Sequence, residues 1–205
     1  MFLRQIILLV SVLVIANSDS YVNQDIVSNA DKKYGNFAKN RLIDMEQRLD
    51  ELKDKSTIIK LNSVNTYFNQ FRYKTDMDNY HLEDYWATPW EFVARDAGDC
   101  EDYVIAKYFA LRYLGIPAKQ MYFTYVKSTM FKEAHMVLTY FETPSSEPLV
   151  LDNNNRLVLP ASKRTDLIPI YNFNGELLSN MQKKQHQKTT QKWDDLISNI
   201  KKGKI

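Results

Sequence analysis

Apolar residues recur at helical spacing between residues 36 and 73, and a break near Lys55 divides this stretch into two predicted helices. Ser56 or Thr57 can cap the second helix, because a hydroxyl oxygen accepts a hydrogen bond from the unpaired N–H groups of a first turn. The apolar positions are Phe37, Leu42, Ile43, Met45, Leu49, Leu52, Ile58, Ile59, Leu61, Val64, Tyr67 and Phe68. We expect these helices to form a packing layer that carries no chemistry of its own.

A further helical pattern begins at the single cysteine of the chain and ends before Gly115. Residues 103–114 are mostly apolar, as expected for a helix that packs on a core. Asp99 is placed as the N-cap, and Asp102 three residues later completes a pair of the capping-box type. Cys100 therefore lies in a first turn, where the unpaired N–H groups and the helix dipole favour the thiolate.

Short runs of β-branched, aromatic and aliphatic residues predict five strands after this helix. They are Met121–Lys127, His135–Phe141, Leu149–Asp152, Leu157–Leu159 and Ile168–Phe173. Both faces of the second strand are apolar enough for a central position. Helices followed by consecutive antiparallel strands are typical of the α+β class. We predict one domain over residues 19–180, with the cysteine helix packed on the sheet.

The segment 74–98 is polar and rich in aromatic residues, and we interpret it as a loop that leads into the cysteine helix. Its aromatic residues include Tyr80, Tyr85, Trp86 and Trp90. Such a loop either covers the core or forms the wall of a substrate cleft, and the composition favours neither.

The first 18 residues have the pattern of a secretory signal. Arg4 supplies the positive charge, residues 6–15 form an apolar run, and Ala16 and Ser18 flank a small-residue cleavage site. The run is too short to span a bilayer comfortably. We therefore expect an exported protein whose signal is cleaved.

Charge is unevenly distributed in this chain of net charge +2. Residues 181–205 carry seven lysines against two aspartates, a net charge of +5. We expect a solvated, partly helical extension there, and the alternative is a segment that binds an anionic surface. No nucleic-acid-binding motif is present, and one cysteine excludes an internal disulfide.

The three histidines narrow the candidate chemistry. His81 lies in the aromatic segment and His186 in the lysine-rich tail, whereas His135 opens a predicted strand. Asp152 ends a neighbouring strand after an apolar run, where its carboxylate can reach a histidine ring. A cysteine, a histidine and an aspartate in this arrangement form the nucleophile, base and orienter of acyl transfer.

The roles of these residues follow from their chemistry. Cys100 would attack an acyl carbon, His135 would carry the proton from the thiol to the leaving amine, and Asp152 would fix the imidazole tautomer. The Cys100 backbone N–H and the indole of Trp86 are the candidate donors to the oxyanion. Taken singly, Cys100 also fits a buried structural thiol, His135 a core histidine, and Asp152 a turn residue.

Three carboxylates surround the thiol in sequence, those of Asp99, Glu101 and Asp102. Their uncompensated charge opposes thiolate formation. Calcium prefers oxygen ligands and would neutralise that charge, so these three residues are a candidate calcium site. The acidity usual at a helix start explains Asp99 and Asp102 equally well but does not require Glu101.

Four segments in combination resemble a known family. They are YWATPWEF (85–92), GDCED (98–102), AHMV (134–137) and LVLD (149–152). These segments are similar to the bacterial transglutaminase-like cysteine proteinases, in particular to the LapG-type periplasmic adhesin proteases. The resemblance covers about residues 35–180 and leaves out the lysine-rich tail.

The resemblance implies a papain-like fold, the triad Cys100, His135 and Asp152, and a calcium requirement. It also implies a periplasmic location and a substrate, the N-terminal region of a large surface adhesin whose cleavage releases cells from a biofilm. Control by an inner-membrane receptor that senses cyclic di-GMP is a further implication.

Two other functions are compatible with the same residues. The triad determines that an acyl-enzyme forms but not which acceptor resolves it, so a transglutaminase or a cell-wall acyl transferase or amidase is one alternative. The other is a non-catalytic binding module in which Cys100 is merely buried. Incorporation of a labelled amine would identify the first, and resistance to iodoacetamide the second.

Overall fold

The structure is a computed structural model that describes residues 20–130, 132–175 and 187–205. The predicted secretory signal at residues 1–18 and the start of the lysine-rich tail at 181–186 lie outside the described residues. Within the described ranges, no helix has the length and apolar character needed to cross a membrane.

The predicted helices before residue 73 are confirmed, with the break where the pattern placed it. Ser56 is the N-cap residue of the second helix by backbone position, but its side chain does not make the predicted capping hydrogen bond. The helices with described bounds are α1 (Gln24–Tyr34), α2 (Asn36–Asp50), α3 (Thr57–Phe68), α4 (Asp76–Tyr80), α5 (Pro89–Arg95), α6 (Cys100–Tyr113) and α7 (Gln187–Lys201). The sequence analysis did not predict α1. The helix predicted at the cysteine is α6, and it ends before Gly115 as expected.

The segment 74–98 is more regular than the loop we expected, because it contains both α4 and α5. Each of these short helices starts at a threonine whose hydroxyl accepts a hydrogen bond from the first turn, Thr75 from Asp78 N–H and Thr88 from Glu91 N–H. Both helices are too short to show a helical period, and for that reason the pattern of apolar residues did not reveal them.

Five antiparallel strands form the main sheet, which confirms the predicted α+β class. With the two strands outside this sheet included, the strands with described bounds are β1 (Arg72–Tyr73), β2 (Ala97–Gly98), β3 (Met121–Ser128), β4 (Ala134–Tyr140), β5 (Leu149–Asp152), β6 (Asn155–Pro160) and β7 (Leu167–Phe173). The sheet order is β6-β5-β4-β3-β7, so β4 is central as predicted. The strands β1 and β2 form a separate parallel pair that places Tyr73 opposite Gly98.

The core lies between the helices and one face of the sheet, with α6 packed on β4. Met136, Leu138 and Tyr140 of β4 belong to this core, whereas Val137 belongs to a smaller cluster on the other face. Both faces of β4 therefore carry buried apolar residues, as predicted for a central strand. Because α6 lies across β4, its first residue, Cys100, is brought near the start of that strand.

The lysine-rich tail packs on the domain, and the expectation of a solvated extension is wrong for its described part. Trp193 of α7 is buried, and its indole stacks on Phe109 and meets Phe123 edge-on. The end of the chain is also held, since Thr88 Oγ1 donates to the Lys204 carbonyl at 2.7 Å. The apolar residues of α7, Trp193, Leu196, Ile197 and Ile200, recur at helical spacing and bury one face of the helix, whereas the expectation of a solvated extension rested on its lysines.

Candidate active site

Cys100 and His135 line one cavity of about 200 Å³. Cys100 comes from the first turn of α6 and His135 from the start of β4. The cavity is lined by Tyr73, Cys100, Ser128, Glu133, Ala134, His135 and Asn154. The packing of a helix start on a strand start therefore brings together a thiol and an imidazole that are 35 residues apart in sequence.

Asp152 lies directly behind His135. Its Oδ1 is 2.8 Å from His135 Nε2 and also accepts the Asn154 N–H at 2.9 Å. Its Oδ2 accepts a hydrogen bond from the guanidinium of Arg164 at 2.5 Å. Burial alone would raise the pKa of Asp152, but His135, Asn154 and Arg164 outweigh it and lower the pKa to about 2. The carboxylate is therefore ionised at neutral pH.

The ionised state of Asp152 determines which nitrogen of His135 carries the proton. A carboxylate only accepts hydrogen bonds, so Nε2 must be the donor in the 2.8 Å contact. In neutral imidazole the other nitrogen, Nδ1, then has a free lone pair. His135 is thus set up as a base whose available nitrogen is Nδ1.

A layer of polar side chains supports Asp152 from the helix side. Asn69 Nδ2 donates to the Asp152 carbonyl at 2.8 Å, and Asn65 Oδ1 accepts from Lys107 Nζ at 2.8 Å. Lys107 is fully buried, and this burial lowers the pKa of its ammonium to about 7 even though Asp152 opposes the shift. The sequence analysis did not identify Lys107 or Arg164, because nothing in their sequence surroundings shows that they face a carboxylate distant along the chain.

The thiol lies among negative charges. Cys100 Sγ donates to Glu101 Oε2 at 3.0 Å. Burial, followed by the charges of Glu101 and Asp99, raises the pKa of the thiol, while the backbone N–H of Met136 acts in the opposite direction. Burial, together with the acidic neighbours, therefore outweighs the lowering of the thiol pKa expected from the helix dipole.

An acidic cluster lies beside the thiol and is larger than the sequence suggested. We define it as Asp76, Asp84, Asp99, Glu101 and Asp102. Two groups of three carboxylates in it have oxygens within 4.8 Å of one another, one formed by Asp76, Asp99 and Asp102 and the other by Asp76, Asp84 and Glu101. Asp76 is common to both groups. Asp76 and Asp84 were missed because they belong to the segment we interpreted as a loop.

Two oxygens of the acidic cluster are buried and lack a hydrogen-bond donor among the described residues, Asp76 Oδ1 and Asp99 Oδ1. Burial and neighbouring carboxylates raise the pKa of Asp76 to about 6 and that of Asp99 to about 10. A buried oxygen without a donor is unfavourable. Hard oxygen donors that converge on one point are the ligands calcium prefers, so the cluster fits that ion.

The capping pair predicted from Asp99 and Asp102 does not form. Asp99 is the N-cap residue by backbone conformation, but its side chain makes no capping hydrogen bond. Asp102 instead accepts the Ala87 N–H at 2.9 Å. Both carboxylates are directed toward Asp76, which lies far away in sequence and could not enter a local capping argument.

Gly98 permits the close approach of β2 to α6. A Cβ atom at this position would lie 2.4 Å from Asp102 Oδ2 and 2.7 Å from the ring of Phe92. Both distances are too short for any real side chain. The glycine of the GDCED segment is therefore required by the packing of the acidic cluster.

Trp86, the predicted second donor to the oxyanion, lies in the core and does not line the cavity. Its ring is nearly parallel to those of Phe123 and Phe173, with centroids 6.5 and 6.2 Å away. Its Nε1 is buried and meets no acceptor among the described residues. Of the two roles considered for the aromatic segment, Trp86 fills that of covering the core.

Replacing Arg164 by methionine is expected to lower the free energy of unfolding by about 3 kcal/mol at pH 7, because it leaves the buried Asp152 charge without its cation. The acid dependence should change as well. With a folded pKa of about 2 against an ordinary 3.8, Asp152 stabilises the wild type fully above pH ~4, and this contribution is lost as the pH falls toward 2. The variant should show a smaller loss in that window. Urea unfolding from pH 2 to 7 measures both effects.

Asp166→Asn is the matched control, since Asp166 is the second and more exposed partner of Arg164. Its loss should stay below about 1 kcal/mol. Equal losses in the two variants would contradict a special contribution of the Asp152 pair.

Comparison with known families gives one match, to the bacterial transglutaminase-like cysteine proteinases, over residues 42–199. Among solved structures, LapG of Legionella pneumophila is 39% identical, with a TM-score of 0.71 over 85% of this chain and 95% of that chain. Its calcium-bound form is 41% identical with a TM-score of 0.66, over 73% and 83% of the two chains. An EGTA-treated form of the same protein is 39% identical, with a TM-score of 0.72 over 85% of this chain and 95% of that chain. Comparison with curated protein sequences gave no significant match.

Proposed function

Since the chain belongs to the bacterial transglutaminase-like cysteine proteinases and is a LapG-like cysteine protease, we propose that it is a periplasmic, calcium-dependent endopeptidase with the triad Cys100, His135 and Asp152. Family and fold confirm the resemblance noted in the sequence, including the papain-like, transglutaminase-like architecture. The observation that carries the triad is the shared cavity of Cys100 and His135 with Asp152 hydrogen-bonded behind the imidazole.

The proposed reaction begins with proton transfer from the Cys100 thiol to His135 Nδ1. The sulfur then forms a bond to the scissile carbonyl carbon, and the carbonyl oxygen becomes an oxyanion. The Cys100 backbone N–H, unpaired at the helix start, supports the oxyanion. The C–N bond breaks as His135 returns the proton to the amine, which leaves a thioester.

Water completes the cycle. His135 takes a proton from a water molecule that attacks the thioester, and the C–S bond breaks to release the new carboxyl terminus and the thiol. Asp152 stays ionised throughout, because its hydrogen bonds from His135 and Arg164 favour the charged form. Its function is to hold Nε2–H and thereby keep Nδ1 available at each step.

Calcium fits the acidic cluster, and we propose that Asp76, Asp84, Asp99, Glu101 and Asp102 hold it. Support comes from the two buried oxygens without donors and from the calcium-bound form of the Legionella relative. When bound, the ion would offset the negative charge and hold in place the residues on either side of Cys100. The three ligands predicted from the sequence thus become five in the proposal.

The proposed substrate is the N-terminal region of a large surface adhesin, whose cleavage releases cells from a biofilm. The proposed regulator is an inner-membrane receptor that senses cyclic di-GMP. Both proposals rest on the similarity to LapG. The periplasmic location rests on the signal-like pattern of residues 1–18 and on the same similarity.

Incubation with the N-terminal region of the adhesin from the same organism is expected to give two discrete fragments in calcium. A specific endopeptidase should leave casein, an unfolded general substrate, intact under the same conditions. Gel electrophoresis and mass spectrometry of the new termini measure the outcome. Digestion of casein with the adhesin left whole would contradict the proposed substrate, and incorporation of a labelled amine without chain cleavage would favour a transglutaminase.

A further inference from the structure

A lysine of α7 reaches the edge of the acidic cluster. The ammonium of Lys192 forms an ion pair with Asp84 Oδ2, and its charge also acts on Asp76. Asp84 belongs to one of the two groups of carboxylates that could hold a metal. Of the five carboxylates, within the ranges the structure describes, Asp84 alone forms ion pairs, with Lys192 and Lys188.

The fold holds Lys192 in this position. Its neighbour Trp193 is buried in the core, which sets the rotation of α7. Its Nζ lies 5.5 Å from the centroid of the Trp86 ring, an additional favourable contact for a cation. The Lys192 side chain is 18% exposed, whereas that of Lys188, 3.4 Å from the same oxygen, is 82% exposed. The Lys192 side chain is therefore mostly buried and held in a fixed position, whereas Lys188 is a surface lysine.

We propose that Lys192 is an internal competitor of calcium for Asp84. The inference rests on the proposed function, because it concerns the same metal site. A carboxylate oxygen that accepts hydrogen bonds from the Lys192 ammonium has less capacity to coordinate a metal. The positive charge of Lys192 beside Asp84 also repels a divalent cation. Calcium binding then requires Lys192 to release Asp84, and the affinity of the site is lower than its five carboxylates alone would provide.

The competition has a consequence for the lysine-rich tail. The tail carries a net charge of +5 in a chain whose net charge is +2, and its Lys192 is the point where that charge meets the metal site. The inferred role of this helix is to set the calcium concentration at which the protease becomes active.

The test is to measure calcium affinity by isothermal titration calorimetry in Lys192→Met, since methionine keeps the unbranched stem over Trp86 but removes the charge. The variant should bind calcium about threefold or more tightly than the wild type, and high salt should reduce the difference. Lys192→Arg, which keeps the charge, should stay near the wild-type affinity. Lys201→Met, on the same helix but outside the acidic cluster, is the matched control and should change nothing.

Three outcomes decide the question. A wild-type protein that binds no calcium would overturn the proposed metal requirement itself. Calcium binding by the wild type with equal affinities for Lys192→Met and Lys201→Met would overturn this inference and leave the proposed function standing. A gain that is undiminished in an Asp84→Asn background would also overturn it, because the lysine would then act without Asp84. Thermal unfolding confirms that each variant is folded, and Lys192→Gln replaces the methionine variant if that one is not.

Discussion

The Cys100→Ala variant is expected to cleave no adhesin fragment above background, a loss of about 10⁴-fold or more in rate. Alanine leaves no atom that can form the acyl-enzyme, and in the described ranges no second thiol exists to replace it. The fold should persist, because the half-buried side chain loses only one atom and its hydrogen bond to Glu101. Cleavage on a gel and thermal unfolding, measured on the same preparation, separate loss of chemistry from loss of structure.

Iodoacetamide labelling complements this prediction. Modification of Cys100 in the wild type should abolish cleavage, and an inhibitor directed at serine proteases should leave it unchanged. An alanine variant with activity within tenfold of the wild type would exclude Cys100 as the nucleophile. A folded wild type whose thiol resists iodoacetamide and which shows no activity would instead support the binding-module alternative.

Chelation by EGTA is expected to abolish cleavage, and excess calcium should restore it. The carboxylates of the acidic cluster repel one another, and among them only Asp84 forms an ion pair within the described ranges, so a bound cation is needed to hold the others in a fixed geometry. Magnesium should restore little, since it favours a compact octahedron with several waters over a large set of carboxylates. Cleavage assays and the midpoint of thermal unfolding should both rise with calcium concentration.

Asp76→Asn tests the same site without a chelator. Asp76 belongs to both groups of carboxylates, so the variant should lose calcium binding and cleavage together. Asp78→Asn is the matched control, because Asp78 lies on the same helix but outside the acidic cluster. Full activity of the wild type in EGTA would contradict the calcium requirement and leave the acidic cluster with a purely structural role.

Local signals in the sequence predicted the positions of Cys100, His135 and Asp152 in helix and strands. The apolar run after Cys100 and the glycine at 115 define a helix that starts at the thiol, and the alternation around His135 defines a strand that is buried on both faces. Each is a run of mostly apolar residues, and the length of the run distinguishes the helix from the strand. Asp152 was identified because it ends a short strand after an apolar run, and the structure shows that this strand pairs with β4.

The acidic cluster was predicted only in part, because its members come from segments distant in sequence. Asp99, Glu101 and Asp102 are consecutive or nearly so, and their charge is visible in any window of sequence. Asp76 and Asp84 join them through α4 and the segment after it, which have no period and pack on α6 only in the folded chain. The local capping pair was wrong for the same reason, because partners distant in sequence compete for the same carboxylates.

The sequence by itself determined the fold class, the position of the thiol at a helix start, and the family. Those properties depend on patterns of neighbouring residues, which short-range sterics and burial enforce. Only the tertiary structure decided which charged side chains contact one another. It pairs Arg164 with Asp152 and Lys192 with Asp84, and it brings Asp76 and Asp84 to the carboxylates beside Cys100. Electrostatic contacts of this kind depend on distance in space, and the fold brings together residues whose separation in sequence carries no information about that distance.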